Sequence, residues 1–184
     1  SNQTTPGTNI FPWITAGSDG RVDVAWYHTD TASTAGAGSD TTAEWTVELG
    51  QSVNANATSP AYTVSQVSEG PVKYGAICTS GLGCTTGGDR SLGDFLQVTT
   101  DSQGAALVSF VYDTSADTAG GENAGPTVVT RQISGPSLLS TVPGGVTQGS
   151  GPGVPFDSVT DPAGDDYFSG GGQRVAGGDG LDIL

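Results

Sequence analysis

Positive charge is the scarcest property of this sequence. Its 184 residues hold five lysines and arginines against nineteen aspartates and glutamates, a formal net charge of −14. Lys73 is the single lysine, and Arg21, Arg90, Arg131 and Arg174 are scattered. With no basic cluster to neutralise phosphates, nucleic acid is a poor candidate partner, and an anionic membrane surface fails for the same reason. Long hydrophobic runs are missing too. No stretch approaches the roughly 20 apolar residues of a membrane span, and no long segment keeps a 3.6-residue period, so no amphipathic helix is expected. Hydrophobic residues reach only 34% of the chain, below an ordinary globular domain. The acidic balance suits an extracellular or salt-rich setting, and it equally serves plain solubility.

Glycine, by contrast, is abundant at 30 residues, which fits many short strands joined by irregular connections. The stretch Phe11–Tyr27, FPWITAGSDGRVDVAWY, reads as strand, tight turn and strand. Gly17-Ser18-Asp19-Gly20 supplies the turn chemistry. Val22, Val24 and Trp26 alternate with Arg21, Asp23 and Ala25, the period-2 pattern of a half-buried strand. A near copy, FLQVTTDSQGAALVSFVY, occupies Phe95–Tyr112. Placing Gly20 on Gly104, an offset of 84 residues, puts Ile14 on Val98, Val24 on Val108 and Trp26 on Phe110. A β unit repeated at this scale predicts an all-β array, a propeller foremost.

In order, residues 1–9 form a polar lead-in and 10–28 the first hairpin, followed by a Thr/Ala/Gly/Ser loop over 29–43. Further strands are expected over Glu44–Val53 and Ala61–Val67, completing a four-stranded unit at 10–67. A link over 68–93 carries both cysteines and leads to the second unit, 94–135, with its third strand at Thr127–Ile133. Residues 136–157 read as a Gly/Pro-rich linker and 158–184 as the start of an accessory β segment, a β-sandwich by preference. Two blades cannot close a ring that needs about four to eight. The chain is therefore expected to be a fragment whose partners include the remaining blades of its parent. In such a meander the short turns share one end, and the long loops 29–43, 68–93 and 113–126 share the other, where binding usually resides.

Five residues separate Cys78 from Cys84 in ICTSGLGC. Zinc needs about four ligands, and the only histidine, His28, is remote in sequence. A short-range disulfide is the better reading, and it implies an oxidising, secreted location.

With these residues placed, the chain resembles secreted bacterial sialidase-like β-propellers of the BNR, or Asp-box, superfamily. The resemblance covers residues 10–135 and rests on FPWITAGSDGRVDVAWY, the strand 3–4 connection, ICTSGLGC, DRSLGDF and the second hairpin. The family's Asp-box, S-x-D-x-G-x-T-W, survives only in degenerate form as Ser52, Asn54 and, after an insertion, Tyr62. The resemblance implies a structural role there: the polar side chain ties the turn and the aromatic lies beneath it. For true sialidases it also implies an arginine triad on the sugar carboxylate and a Tyr nucleophile assisted by Glu. No arginine motif of that kind is present, so no catalytic residue carries over. The expected ligand is a glycan or a cell-surface molecule. Two functions stay open: glycan binding or exo-glycoside hydrolysis by the full-length parent, or a non-catalytic extracellular adhesion module.

Candidate residues carry two readings each. Arg90, with Asp89 and Asp94, lies on the long-loop face and either grips a ligand carboxylate or pairs with Asp94 to pin the loop. Trp13, Trp26 and Trp45 either stack on sugar rings or, as strand aromatics usually do, fill the core. His28, at a strand end, is an acid or base candidate or incidental. In the tail, Asp161, Asp165, Asp166, Asp179 and Asp182 offer oxygen ligands of the kind calcium takes. GGDGLDIL also matches one turn of a calcium-binding β-roll repeat.

Overall fold

The computed structural model describes residues 7–31, 43–78, 92, 96–112, 127–147, 156–157 and 175–176. The chain is all-β, built of antiparallel sheets. β1 (Thr8–Ala16), β2 (Val22–Thr29), β3 (Glu44–Ser52) and β4 (Thr63–Gln66) make the first sheet in that order, and β5 (Lys73–Tyr74) joins the other half of β3. β6 (Gln97–Thr100), β7 (Ala106–Val111) and β8 (Thr127–Gln132) repeat the plan. The repeat extends to the outer edge. As β4 and β5 share the edge of β3, so β11 (Phe156–Asp157) and β12 (Val175–Ala176) share the edge of β8. β11 falls in the segment read as a linker, 136–157, and β12 in the one read as the start of an accessory segment, 158–184. β8 would otherwise present unpaired N–H and C=O groups, and the pairing of Val175 with Val129 and Ala176 with Val128 supplies them from the tail.

Both hairpins turn in the same way. Gly17 N–H donates to Arg21 O at 3.0 Å, and Asp101 N–H donates to Ala105 O at 3.0 Å. Each turn ends on a glycine with positive φ, Gly20 at 71° and Gly104 at 70°, the left-handed residue of a three-residue hairpin loop. In β1 the register shifts between Ile10 and Trp13, with Phe11 at φ 51°. This bulge interrupts β1, the edge strand among the described residues, and sets the Phe11 ring edge-on to Tyr27, 6.4 Å between centroids.

Which face is inward departs from the sequence pattern. Val22, Val24 and Trp26 are only half-buried, while Asp23, Ala25 and Tyr27 are wholly buried. Ala25 and Tyr27 join Trp45, Val47 and Leu49 on the inner face of the first sheet. In the second sheet the inner residues are Val98, Val108, Phe110 and Val128. Alternation shows that a strand has two unlike faces; it does not say which one a neighbour will cover. Of the three tryptophans only Trp45 lies in the core, where its Nε1–H donates to Gly75 O at 2.9 Å.

The interface between the sheets is partly polar. Gln51 and Gln132 exchange amide hydrogen bonds at 3.2 and 3.1 Å, and Val111 N–H donates to the Tyr27 hydroxyl oxygen at 3.4 Å. Burial holds the Tyr27 phenol above its usual range, so it stays protonated. Asp23 accepts from Gln51 Nε2 at 3.0 Å through one oxygen, and its second oxygen has no partner among the described residues. Burial pushes its carboxyl up from 3.8 to about 6, against the lowering effect of the Gln51 bond.

A strap closes the turn end. Between β9 (Ser134–Gly135) and β10 (Val146–Thr147), Leu138 O accepts from Ser18 N at 2.9 Å while Leu138 N–H donates to Gly104 O at 2.8 Å. Arg21 Nη1 donates to Ser137 O at 2.7 Å, and Ser137 Oγ donates to Gln103 O at 2.7 Å. One short segment thus ties both repeated turns together. Arg131 braces the second turn from β8, donating to Asp101 Oδ2 at 2.8 Å and to Gln103 Oε1 at 3.2 Å.

Two outcomes follow. A Cβ at Gly104 would overlap Ser137 Oγ, at a φ that L residues avoid. Gly104→Ala should therefore cost about 2 kcal/mol or more in urea unfolding, whereas Gly144→Ala, with nothing within 4 Å, should be near neutral. The raised Asp23 carboxyl favours the folded state most when protonated. Its contribution is complete below about pH 3.8 and is lost as pH rises through about 6. Relative to Asp23→Asn, the wild-type chain should lose on the order of 2–3 kcal/mol between pH 4 and pH 7, read from urea midpoints across that range.

Candidate functional site

The end of the sheets opposite the strap carries a polar cleft. β2 and β3 run side by side, with His28 opposite Thr46 and Trp26 opposite Glu48, so His28, Thr46 and Glu48 share the outer face of the first sheet. The cleft there has a volume of about 430 Å³. Its lining includes His28, Asp30, Glu44, Thr46, Glu48 and Gln66, with Gly70 and Pro71 forming a further wall. β4 and β5 pair with different halves of β3, and the connection between them is held to β3 by Val67 N–H to Val47 O at 2.7 Å and Val72 N–H to Trp45 O at 2.7 Å. That connection brings Gly70 and Pro71 to the cleft.

His28 is buried and fixed on both sides. Its Nδ1 lies 2.8 Å from Asn9 Oδ1 on β1, and its Nε2 lies 3.1 Å from Asp30 Oδ1. Thr8 Oγ1 donates to Thr31 O at 3.0 Å and Thr31 N–H donates to Thr29 Oγ1 at 3.3 Å, holding the chain where it leaves β2. Sequence reasoning found His28 at the long-loop end but missed Asn9, Glu44, Glu48 and Gln66. The signal was present in the strand registers: once β2 and β3 are paired, residues opposite His28 and Trp26 must share its face.

The electrostatics are one-sided. Asp30, Glu44 and Glu48 bring three carboxylates, and His28 is the single basic side chain in the lining. Arg21 and Arg131 are engaged at the strap end. Such a cleft repels an anionic ligand and favours a neutral, hydroxyl-bearing or cationic one. Among the described residues, no group of three or more His, Cys, Asp or Glu is arranged to hold a metal ion.

Ser52 and Asn54 lie at the strap end. Asn54 Oδ1 accepts from Ala61 N–H at 2.9 Å and from Ser52 Oγ at 3.2 Å, so the side chain ties its turn. Tyr62 is 50% exposed rather than tucked beneath it. Cys78 is disulfide-bonded, and the other cysteine, Cys84, lies outside the described residues. Asp89, Arg90 and Asp94 also lie outside them, as do Asp161, Asp165, Asp166, Asp179 and Asp182. No helix among the described residues is long and apolar enough to cross a membrane.

The chain matches no protein-family model, no curated protein and no solved structure.

The two His28 contacts should differ in weight. Asn9→Ala removes the partner of a buried ring nitrogen and should cost about 1 kcal/mol in urea unfolding. The Asp30 side chain is 82% exposed, so Asp30→Asn should change stability by less than about 0.5 kcal/mol.

Proposed function

We propose that this chain is a non-catalytic module of a secreted or cell-surface protein. In this reading the repeated β units are a scaffold, as in a propeller, and the cleft beside His28 takes a neutral, hydroxyl-rich ligand, a glycan foremost. The observation that carries the reading is the lining itself: carboxylates, an amide, hydroxyls and an imidazole on one sheet face at the end where the long loops emerge. Such groups donate to and accept from sugar hydroxyls. The disulfide at Cys78 supports an extracellular setting.

Exo-hydrolysis of a sialoside by a longer parent rests on the repeated unit and the Ser52–Asn54 turn. The acidic cleft argues against an anionic sugar at this position, because a sialic acid carboxylate calls for a guanidinium partner. The scaffold reading is therefore preferred.

The test is an amide-shift titration of the ¹⁵N-labelled chain with neutral oligosaccharides and, separately, sialyllactose. The expected result is saturable shifts at Thr46, Gln66 and Gly70 with at least one neutral glycan, and tenfold weaker or no response to the sialylated one. Absence of shifts at these residues with every glycan at millimolar concentration would overturn the glycan reading.

A further inference from the structure

The two repeated units meet by unlike faces. The first sheet contributes the face of Ala25 and Tyr27, and the second contributes the face of Val98, Val108 and Phe110. Under the 84-residue offset these last three correspond to Ile14, Val24 and Trp26, which form the other face of the first sheet. The arrangement is thus a translation-like stack, in which a face of one kind covers a face of the other kind. Among the described residues it leaves one face of each kind uncovered by the other sheet, and on the first sheet this is the face whose far end carries the polar cleft.

The uncovered face of the first sheet carries the marks of a stacking surface. Ile14 is 63% exposed where Val98 is 3% exposed, and Val24 and Trp26 are half-buried where their counterparts are sealed. Val64, paired with Gly50, extends the apolar strip. Trp26 lies over Gly50, its ring 3.1 Å from where a Cβ would stand. Its Nε1–H is sequestered with no acceptor among the described residues, and a buried donor left unpaired is costly. The complementary uncovered face lies on the second sheet, where Leu107, Ser109 and Val129 are half-buried. Ser109 corresponds to Ala25, a small residue at the centre of the face that already makes this kind of contact.

The geometry points to head-to-tail association of this chain with a second copy of itself. The Ile14/Val24/Trp26 strip of one molecule receives the Leu107/Ser109 face of the next, after the pattern of the contact that joins the two units within one, with Glu48 opposite Trp26 where that contact has Val128 opposite Phe110. Because the two faces differ, the contact does not close on a pair and propagates. The net charge of −14 opposes it, so association strengthens as salt screens the repulsion.

Sedimentation velocity over a rising concentration series, at low and high salt, tests this. The expected weight-average mass grows with concentration and salt and passes the dimer without a plateau. Ile14→Glu and Ser109→Glu each abolish that growth while keeping the wild-type thermal transition, and Val64→Glu serves if Ile14→Glu fails to fold. An equimolar mixture of the two variants still forms a one-to-one complex, because each retains the face that the other has lost. A monomer at every concentration, a mass that stops at two copies, growth unchanged by Ile14→Glu, or a mixture that stays monomeric would each overturn the proposal.

Discussion

Tyr27 sits where the two sheets meet, and its burial fixes the orientation of the strands around it. Its ring belongs to the shared core, Phe11 meets it edge-on, and its hydroxyl takes the Val111 amide of the second sheet. Because strand side chains alternate, an inward Tyr27 makes Ala25 and Asp23 inward as well. It also assigns Val24, Trp26 and His28 to the opposite face. A carboxyl buried for this reason requires partners. Gln51 provides one, and the exchanged amides of Gln51 and Gln132 carry the polar seam across to the second sheet.

The consequences separate along the strands. At one end the strap through Leu138 joins two equivalent turns, and the described arginines are engaged there as structural donors. At the other end no strap is present among the described residues, and β2 delivers His28 to the margin of a polar cleft. A tied end and a polar end agree with the binding scaffold proposed above.

Much of this organisation was legible in the sequence. The repeat follows from the match of Phe11–Tyr27 with Phe95–Tyr112, and the strand positions follow from local alternation and turn chemistry. The inward face was not legible, because Val24 and Trp26 look more like core than Asp23 and Ala25 do. In a stack of sheets both faces carry apolar residues, so pattern alone cannot rank them. The role of the tail in completing the second sheet was hidden for a different reason. Phe156–Asp157 and Val175–Ala176 are two-residue strands, too short for alternation to register. The cleft was half-visible: His28 stood out by composition, whereas Glu44, Glu48 and Gln66 acquire meaning only through strand register.

The whole arrangement stands on the Ala25/Tyr27 face of the first unit meeting the Val108/Phe110 face of the second. A double-mutant cycle on Gln51→Ala and Gln132→Ala in urea unfolding tests it most directly, since these residues are 81 positions apart and touch only in this arrangement. A coupling energy of about 1 kcal/mol is predicted. Strictly additive effects, with coupling below about 0.3 kcal/mol, would contradict the arrangement.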